Sequence, residues 1–495
     1  MKYYSTRNKQ IKVSGMEAIL QGIAQDGGLF VPEYIPKLTN LKALEGFSYR
    51  RLAAQILGLY FEEYSEEQLK KYVEGAYTEK FHWKEPVRIR ENGGIHFLEL
   101  FHGPTLAFKD MALTVLPHLL LGALERKGIE EEVVILTATS GDTGKAALEG
   151  FRDGPGVQVI VFYPEEGVSE MQNLQMVTQK GKNTHVVALK GNFDDAQNGV
   201  KKIFGDEKYG EMLREKGYRL SSANSINIGR LIPQIVYYIY GYLKMVENGN
   251  ITQGEEINVA VPTGNFGNIL AAYYAREMGL PVAKLICASN DNKVLADFFE
   301  TGTYDRKRKL HLTSSPSMDI LISSNLERFL YHVSGEEDTL ISDLMKSLSE
   351  TGSFQWSGVK EMDIYGGFAE EDAVSESIRT MYSENGYVMD PHTAVAYSVY
   401  EKYRKETGDE KSVLLASTAS PFKFPEKVLS SLGRALPKDL FERIESLAEC
   451  MKEDVPEEIE KLWSLPRLHQ TVAEEDEMRD VILGFLEGGK GHDSN

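Results

Sequence analysis

The chain has 495 residues, of which 42% are apolar and 26% are charged, and its formal net charge is −19. This length predicts roughly two to four domains of an ordinary globular protein, and the negative charge argues against nucleic acid or an anionic membrane surface as a partner. Two widely spaced cysteines indicate neither a disulfide framework nor a metal site, and the lack of an apolar leader or a membrane-length apolar segment predicts a cytoplasmic protein.

The first 90 residues show apolar positions at helical spacing and are predicted to form a distinct, mostly helical N-terminal domain. The predicted helices cover residues 16–24, 49–60 and 66–77. Residues 93–290 then alternate between short apolar runs and helical patterns, which is typical of an α/β domain with a mainly parallel sheet. The predicted strands cover residues 95–101, 132–138, 157–163, 184–188 and 257–261. The predicted helices cover residues 111–127, 143–152, 170–180, 194–204, 228–246 and 268–278.

Pro117 lies inside the first of these α/β helices, so that helix is predicted either to kink or to begin later. Residues 293–370 have a mixed pattern that predicts no particular order of elements. A late strand follows at residues 412–417, and residues 437–485 are predicted to form charged, amphipathic helices. The last eight residues, GGKGHDSN, are predicted to be a disordered tail.

The loops that join strand to helix are the predicted ligand sites, because open α/β sheets bind ligands at the carboxyl ends of their strands. The loop Val-Pro-Thr-Gly-Asn-Phe-Gly-Asn at residues 261–268 has two glycines, Gly264 and Gly267, that let the backbone approach a ligand. The N–H groups at the start of the following helix would suit a phosphate. The alternative is a glycine turn that only fits helix against strand. The loop lacks the Walker lysine and the dinucleotide spacing, so a nucleotide-binding protein is disfavoured.

A second loop of this kind, TSGDTG at residues 139–144, offers small hydroxyls and free N–H groups at a helix start. These groups would hold a carboxylate. Capping of the helix by Ser140 or Asp142 is the alternative explanation, and the two are compatible.

Lys109 follows a predicted strand and a Gly103-Pro104 turn, at the start of a helix. A cation at a helix N-terminus is disfavoured by roughly 0.3–1 kcal/mol, and the apolar neighbours Phe108 and Met111 add desolvation. Both effects promote the free amine that imine chemistry requires. A solvated surface lysine is the alternative.

Three further groups could contribute to a site. Thr418 lies where the late strand ends, and its hydroxyl could contact a ligand or cap a turn before Pro421. Arg230 suits a phosphate but also a surface salt bridge. His102 could act as a base, although a hydrogen-bonded structural histidine is the more common role.

Eight segments together resemble the threonine synthase family, in the order in which the family carries them. They are GGLFVPEYIP near residue 30, FLELFHGPTLAFKD at 97–110, TSGDTG at 139–144, SANSINIGRLIPQ at 222–234, VPTGNFGN at 261–268, PSMDI at 316–320, DPHTAVAY at 390–397 and STASPFKFP at 417–425. This resemblance covers nearly the whole chain. It implies the tryptophan-synthase-β type of fold (fold type II), with pyridoxal phosphate in a cleft between two α/β domains whose sheets are mainly parallel.

The resemblance also implies roles for individual residues. Lys109 would carry pyridoxal phosphate as an imine and move protons, and Thr418 would face the pyridine nitrogen. The cofactor phosphate would be held by Gly264, Asn265, Phe266, Gly267 and Asn268. Candidates for holding the substrate carboxylate are Ser140, Gly141, Asp142 and Thr143, and our hypothesis for the substrate phosphate is the set Asn224, Ser225, Asn227 and Arg230. Related folds carry an asparagine where this chain has Asp142, whose charge would repel a substrate carboxylate unless it is protonated or turned away.

The implied reaction converts O-phospho-L-homoserine and water to L-threonine and phosphate, the last step of threonine biosynthesis. A phospho-lyase or a threonine or serine dehydratase, each giving a 2-oxo acid, is the nearest alternative, and an inactive binding protein on the same fold is a further one. A monomer is favoured over a dimer. The expected division is an N-terminal domain at 1–90, an α/β region at 91–225 whose smaller domain spans roughly 110–220, and a larger domain at 226–495.

Overall fold

A computed structural model of the chain describes residues 1–81, 84–139, 141–165, 168–191 and 193–488. Ser140 and nearly all of the tail predicted at residues 488–495 lie outside the described residues. No helix among the described residues is long and apolar enough to cross a bilayer.

The larger of two parallel sheets has six strands, and only one edge strand runs antiparallel to its neighbour. In spatial order the strands are Ile364–Phe368, Val282–Ser289, Ile257–Pro262, Val413–Ser417, Ile95–Glu99 and Arg88–Asn92. Ile257–Pro262 and Val413–Ser417 lie in the middle, and every residue of both is buried. This burial on both faces explains why these strands appear in the sequence as unbroken apolar runs.

The smaller sheet has five strands, all parallel. In spatial order they are Thr471–Ala473, Thr184–Leu189, Val157–Pro164, Glu132–Ala138 and Tyr218–Ser222. The structure thus confirms an α/β fold with two mainly parallel sheets. It also shows a two-stranded antiparallel pair, Thr303–Asp305 with Ser353–Gln355, within the segment that the sequence pattern left unassigned.

Helices cover both sheets. The α-helices are Gly15–Gln21, Tyr49–Tyr60, Glu66–Ala76, Asp110–Leu113, Leu116–Lys127, Asp142–Gly150, Glu170–Val177, Phe193–Phe204, Glu207–Glu215, Ile228–Glu247, Gly267–Glu277, Val294–Thr301, Leu326–Val333, Asp338–Thr351, Glu371–Asn385, Pro391–Thr407, Pro425–Ser431, Leu440–Met451, Glu457–Glu460 and Met478–Gly488. Short 3₁₀ turns are Leu41–Leu44, Pro316–Met318, Ser357–Glu361, Pro421–Lys423, Lys461–Ser464 and Glu475–Glu477. The helix predicted at 111–127 is divided into two, and Pro117 lies in the first turn of the second, where its missing N–H is not needed.

The N-terminal region contains the three predicted helices together with a small antiparallel sheet that was not predicted. Its strands are Lys2–Ser5, Asn8–Ser14 and Phe30–Pro32. Asn8–Ser14 has no fully buried residue, and its polar composition, NKQIKVS, lacks the apolar run that predicts a buried strand.

The domain division at residues 90 and 225 stays a prediction, but two strands lie across it. Ile95–Glu99, which was assigned to the α/β region at 91–225 but lies before its smaller domain at roughly 110–220, pairs with Val413–Ser417 in the larger sheet. Thr471–Ala473 was expected with the larger domain, yet it pairs with Thr184–Leu189 at the edge of the smaller sheet. The chain therefore returns to the smaller sheet at its C-terminal end.

Candidate active site

A cavity of about 490 Å³ lies where strands of both sheets end. Its lining includes loops that follow Glu132–Ala138 and Tyr218–Ser222 of the smaller sheet, and loops that follow Ile257–Pro262 and Val413–Ser417 of the larger sheet. Within each sheet, parallel pairing places the carboxyl ends of neighbouring strands, and the loops that follow them, at the same edge.

Lys109 projects into this cavity from the segment between the strand Ile95–Glu99 and the helix Asp110–Leu113. Two backbone hydrogen bonds fasten this segment to the loop after the late strand: the N–H of Phe108 donates to the carbonyl of Thr418 (2.8 Å), and the N–H of Ser420 donates to the carbonyl of Leu106 (3.0 Å). Lys109 and Thr418 are therefore held on adjoining segments although they are far apart in the sequence.

The amine of Lys109 is buried and partly neutral. Burial lowers the pKa of Lys109 from 10.5 to about 8, Asp142 opposes the shift, and the cations of Arg230 and Lys423 add to it. The Nζ atom donates a hydrogen bond to Oγ of Ser317 (3.0 Å) and lies 3.6 Å from Oδ2 of Asp142. The amine that imine chemistry needs is thus accessible near neutral pH.

Asp142 is buried, and its carboxylate is compensated by cations. Burial alone would raise the pKa of Asp142, but Lys423 and Lys109 outweigh it and hold that pKa well below the usual range. Nζ of Lys423 lies 2.9 Å from Oδ1, and Nε2 of Gln172 donates to the same oxygen (2.8 Å). The carboxylate therefore stays ionised and is paired with the ammonium of Lys423. Among the described residues its oxygens accept side-chain hydrogen bonds from Gln172 and Ser317 and none from the helix start, unlike the capping alternative considered from the sequence.

The loop at residues 261–268 is shaped as an anion site. Phe266 adopts a left-handed conformation (φ 62°), and the helix Gly267–Glu277 begins directly after it. Its first residues, whose N–H groups have no partner within the helix, line the cavity. Oδ1 of Asn268 accepts hydrogen bonds from the hydroxyls of Tyr237 (2.7 Å) and Tyr238 (2.5 Å). This orients the amide and leaves its buried Nδ2 without a partner among the described residues.

Arg230 is fully buried and has no carboxylate within ion-pair distance among the described residues, so the surface salt bridge considered from the sequence is wrong. Its Nη1 donates to the carbonyl of Ala223 (3.0 Å), and its Nε has no hydrogen-bond partner there. Burial lowers the pKa of Arg230 to about 10. A guanidinium in this condition, lining the cavity together with Asn224 and Ser225, is a natural partner for a second anion.

Asn227 does not share that role. Its Oδ1 accepts a hydrogen bond from the N–H of Gly229 (2.9 Å), and its Nδ2 donates to the carbonyls of Ile19 (2.9 Å) and Ser222 (3.1 Å). The side chain is buried and fully occupied in starting the helix Ile228–Glu247. The expectation that Asn227 binds the substrate is therefore corrected to a structural role.

The remaining predicted residues divide between the cavity and its surroundings. Thr143 and Thr418 line the cavity. Gly141 has φ 131°, and a Cβ there would lie 2.5 Å from Gln172, so this glycine is required by the backbone and by close packing. His102 instead pairs with the buried Glu99 through Nε2 (2.9 Å), in agreement with a structural histidine.

Three residues of the site were not singled out from the sequence: Ser317, Lys423 and His392. Ser317 touches Lys109, Lys423 pairs with Asp142, and His392 lines the cavity. All three lie inside segments that carried the resemblance, PSMDI, STASPFKFP and DPHTAVAY. The signal was thus present, but nothing in a single sequence shows which way each side chain points.

Comparison with known protein families finds three matches along the chain. Residues 2–77 match a family described as "Threonine synthase N terminus", residues 87–418 match "Pyridoxal-phosphate dependent enzyme", and residues 393–482 match "Threonine synthase, C-terminal".

Individual relatives agree with these families. The chain is 37% identical over 481 residues to a threonine synthase of Pseudomonas aeruginosa, covering 95% of this chain and 98% of that one. It is 41% identical over 433 residues to "Threonine synthase-like 1" of Macaca fascicularis, covering 84% of this chain but only 58% of that protein's length. The crystal structure of a threonine synthase with bound pyridoxal phosphate from Brucella melitensis superposes with a TM-score of 0.83 at 33% identity, covering 98% of this chain and 99% of that one.

Proposed function

The chain belongs to the threonine synthase family of pyridoxal-phosphate-dependent enzymes, and from this membership we propose that it converts O-phospho-L-homoserine and water to L-threonine and phosphate. The observation that carries the proposal is that one cavity is lined by a buried amine, by a glycine loop with an unpartnered amide at Asn268 and by a buried guanidinium with an unpartnered Nε at Arg230. The glycine loop at 264–268 suits the phosphate of the cofactor, and Arg230 suits the phosphate of the substrate.

The residues present fit pyridoxal phosphate. The unpartnered Nδ2 of Asn268 needs an acceptor, which a phosphate oxygen provides, and the amine of Lys109 can bind an aldehyde covalently. Gly264, Asn265, Phe266, Gly267 and Asn268 would hold the phosphate, and Thr418 would face the ring nitrogen. When bound, the cofactor supplies an electron sink that makes protons on the substrate removable.

Lys109 is the group that moves protons in this proposal. Net conversion removes a proton from Cα and from Cβ, breaks the Cγ–O bond to release phosphate, adds the oxygen of water at Cβ and returns protons at Cα and Cγ. With a pKa of about 8, the amine of Lys109 is a usable base and its ammonium a usable acid near neutral pH. Ser317 and Asp142 orient it.

Asp142 contributes by its position rather than by repelling the substrate. Because Lys423 compensates its negative charge, the carboxylate of a substrate would meet a nearly neutral pair at this point. The N–H groups that begin the helix Asp142–Gly150, with Thr143 at the cavity wall, remain the candidates for holding the substrate carboxylate.

The first experiment measures products. Purified protein loaded with pyridoxal phosphate is incubated with O-phospho-L-homoserine, and threonine, 2-oxobutyrate and phosphate are quantified. Equal amounts of threonine and phosphate are expected. Equal amounts of 2-oxobutyrate and phosphate would instead establish a phospho-lyase, and no release of phosphate would contradict both activities.

A second experiment tests the substrate phosphate site. Replacing Arg230 with alanine should raise KM for O-phospho-L-homoserine about tenfold to a hundredfold, since one charge-assisted contact to a phosphate is worth about 1.5–3 kcal/mol. Arg276, at the far end of the helix Gly267–Glu277 and outside this cavity, provides the control. Arg276→Ala should leave KM unchanged. An unchanged KM for Arg230→Ala would remove this residue from the site.

The proposal also includes a cytoplasmic location and a monomeric state. Cys287 and Cys450 are both buried free thiols, which suits a reducing compartment. Light scattering of the cofactor-loaded protein tests the oligomeric state, and a mass of twice 55.6 kDa would show a dimer.

A further inference from the structure

Asp390 and His392 form a buried hydrogen-bonded pair at the start of the helix Pro391–Thr407. Oδ1 of Asp390 accepts hydrogen bonds from the N–H of His392 (2.9 Å) and from its Nδ1 (2.8 Å), and Oδ2 accepts from the N–H and the hydroxyl of Thr393. A carboxylate with four donors acts only as an acceptor. The proton of a neutral His392 ring therefore sits on Nδ1, and Nε2 is left as an acceptor.

The Nε2 atom of His392 is buried and lacks a hydrogen-bond partner among the described residues. The residue as a whole is 3% exposed, yet it lines the cavity that contains Lys109. Buried polar atoms in folded proteins are nearly always paired, so an unpaired acceptor on a residue that lines a cavity points to a ligand as the source of the donor.

Asp390 and Phe424 contact the ring of His392, and the neighbouring Thr393 ties the helix start to the late strand. Oγ1 of Thr393 hydrogen bonds with Oγ of Ser417 (2.9 Å), which joins the helix start to the strand end just before Thr418. The ring of Phe424 packs against the imidazole, with 5.0 Å between centroids. His392 and Thr418 therefore lie on the same wall of the cavity.

The charged groups around His392 come from several elements. Asp390 is on its own helix, and Asp319, whose carboxyl interacts electrostatically with His392, follows the turn Pro316–Met318. Lys109 lines the same cavity, and Lys423 precedes the Phe424 that packs on the ring.

We propose that His392 is a cofactor-contacting residue, whose Nε2 exchanges a hydrogen bond with the bound cofactor on the side where Thr418 lies, and that Asp390 is its positioning residue. The hydroxyl of Thr418 alone cannot hold the pyridine nitrogen protonated. The imidazole of His392 is a second, oriented group there, and its hydrogen bond would influence how far the pyridine nitrogen is protonated. The inference rests on the proposed cofactor, but it does not depend on whether the product is threonine or a 2-oxo acid.

Nitrogen NMR of the wild-type protein tests this contact directly. The apoprotein is labelled with ¹⁵N at its ten histidines and titrated with pyridoxal phosphate. His392 is the one histidine among the residues that line the described cavity, so one Nε2 resonance should move on cofactor binding. The inference is overturned if the cofactor binds and no histidine resonance moves.

Variants test the consequence for the cofactor. His392→Leu should weaken binding of pyridoxal phosphate about tenfold, the effect of one lost hydrogen bond. The pH at which the cofactor absorbance changes should move by about one unit in His392→Leu and in Asp390→Asn, and the asparagine can still cap the helix. His332→Leu is the matched control, because His332 is a buried histidine outside this cavity that hydrogen bonds to Tyr274.

Three outcomes are decisive. A spectral shift in the two variants but not in His332→Leu supports the inference. Wild-type affinity and a wild-type pH profile in His392→Leu would overturn it. If the wild-type protein bound no pyridoxal phosphate, the proposed function would fail together with it.

Discussion

At the scale of single residues, the chemistry depends on a charge balance among buried groups. The carboxylate of Asp142 lies between the amines of Lys109 and Lys423. Arg230 adds a further cation nearby. The carboxylate of Asp142 is shared between Lys109 and Lys423. Burial therefore lowers the pKa of Lys109 by more than Asp142 raises it. Lys423 therefore helps to set the charge of the site, because it compensates the carboxylate of Asp142.

This balance predicts that Lys109 costs the apoprotein stability. The pKa of Lys109 is lower in the folded chain (about 8) than its ordinary value of 10.5, so the penalty is fully present below pH 8 and disappears as the pH rises toward 10.5. Lys109→Met should therefore raise the unfolding free energy of the apoprotein by on the order of 1–3 kcal/mol at pH 7. Denaturant unfolding at pH 7 and pH 10 measures the change.

The expected gain from Lys109→Met shrinks at the higher pH. A matched control is Lys37→Met, because Lys37 is an exposed surface lysine whose loss should change stability little at either pH. A Lys109→Met variant less stable than the wild type at both pH values would contradict the charge balance described above.

At the scale of elements, the anion loop depends on close contact with the segment that carries Ser317. A Cβ added to Gly264 would lie 2.5 Å from the backbone carbonyl of Ser317, a distance that no relaxed structure tolerates. Ser323 reinforces the contact, because its hydroxyl donates to the carbonyl of Gly264 (2.7 Å). The loop and the turn Pro316–Met318 therefore act as one unit.

Gly264→Ala should separate these two segments. We expect at least a tenfold loss of affinity for pyridoxal phosphate, because the loop must shift to relieve the clash. Fluorescence titration of the apoprotein measures the affinity. Gly58→Ala in the helix Tyr49–Tyr60 is the control, since its added Cβ would meet only Leu69 at 3.5 Å and a helix favours alanine. Equal affinity in both variants would show that the contact is not needed.

At the scale of the whole molecule, the N-terminal and C-terminal segments pack against regions that the middle of the chain forms. Arg328, which is fully buried, donates to the carbonyls of Phe30 (2.9 Å) and Ile226 (2.6 Å) and to Oδ1 of Asn325 (2.6 Å). Asn325 in turn donates through Nδ2 to the carbonyl of Asn265 (3.0 Å). The N-terminal sheet is thereby connected to both loops that line the anion sites.

The packing of the C-terminal segment predicts that truncation lowers stability. Ala473, Met478, Ile482 and Leu486 are buried in the core of the smaller sheet. A chain that ends at residue 470 should lose several kcal/mol of stability, since burying each large apolar side chain contributes about 1.5–3 kcal/mol. Thermal unfolding of the cofactor-free protein measures this loss of stability. A chain that ends at Gly488 is the control and should unfold like the full chain. Equal melting temperatures for all three would contradict the packing.

Much of this protein was determined by its sequence alone. Unbroken apolar runs predict the central strands because both faces of these parallel strands are buried. The loop at 261–268 and the segment around Lys109 are local motifs, so consecutive residues are enough to predict their chemistry. The division of the first α/β helix followed from Pro117 in the same way.

Tertiary structure decided what depends on contacts between distant segments. The pairing of Asp142 with Lys423, which turns an apparent source of repulsion into a nearly neutral pair, joins residues 281 positions apart (423 less 142). Contacts between distant segments also decide the structural role of Asn227, the lack of a partner for the buried Nε2 of His392 among the described residues, and the pairing of Thr471–Ala473 with the smaller sheet. Local pattern specifies the conformation of each segment, whereas burial and charge depend on which segments the fold places side by side.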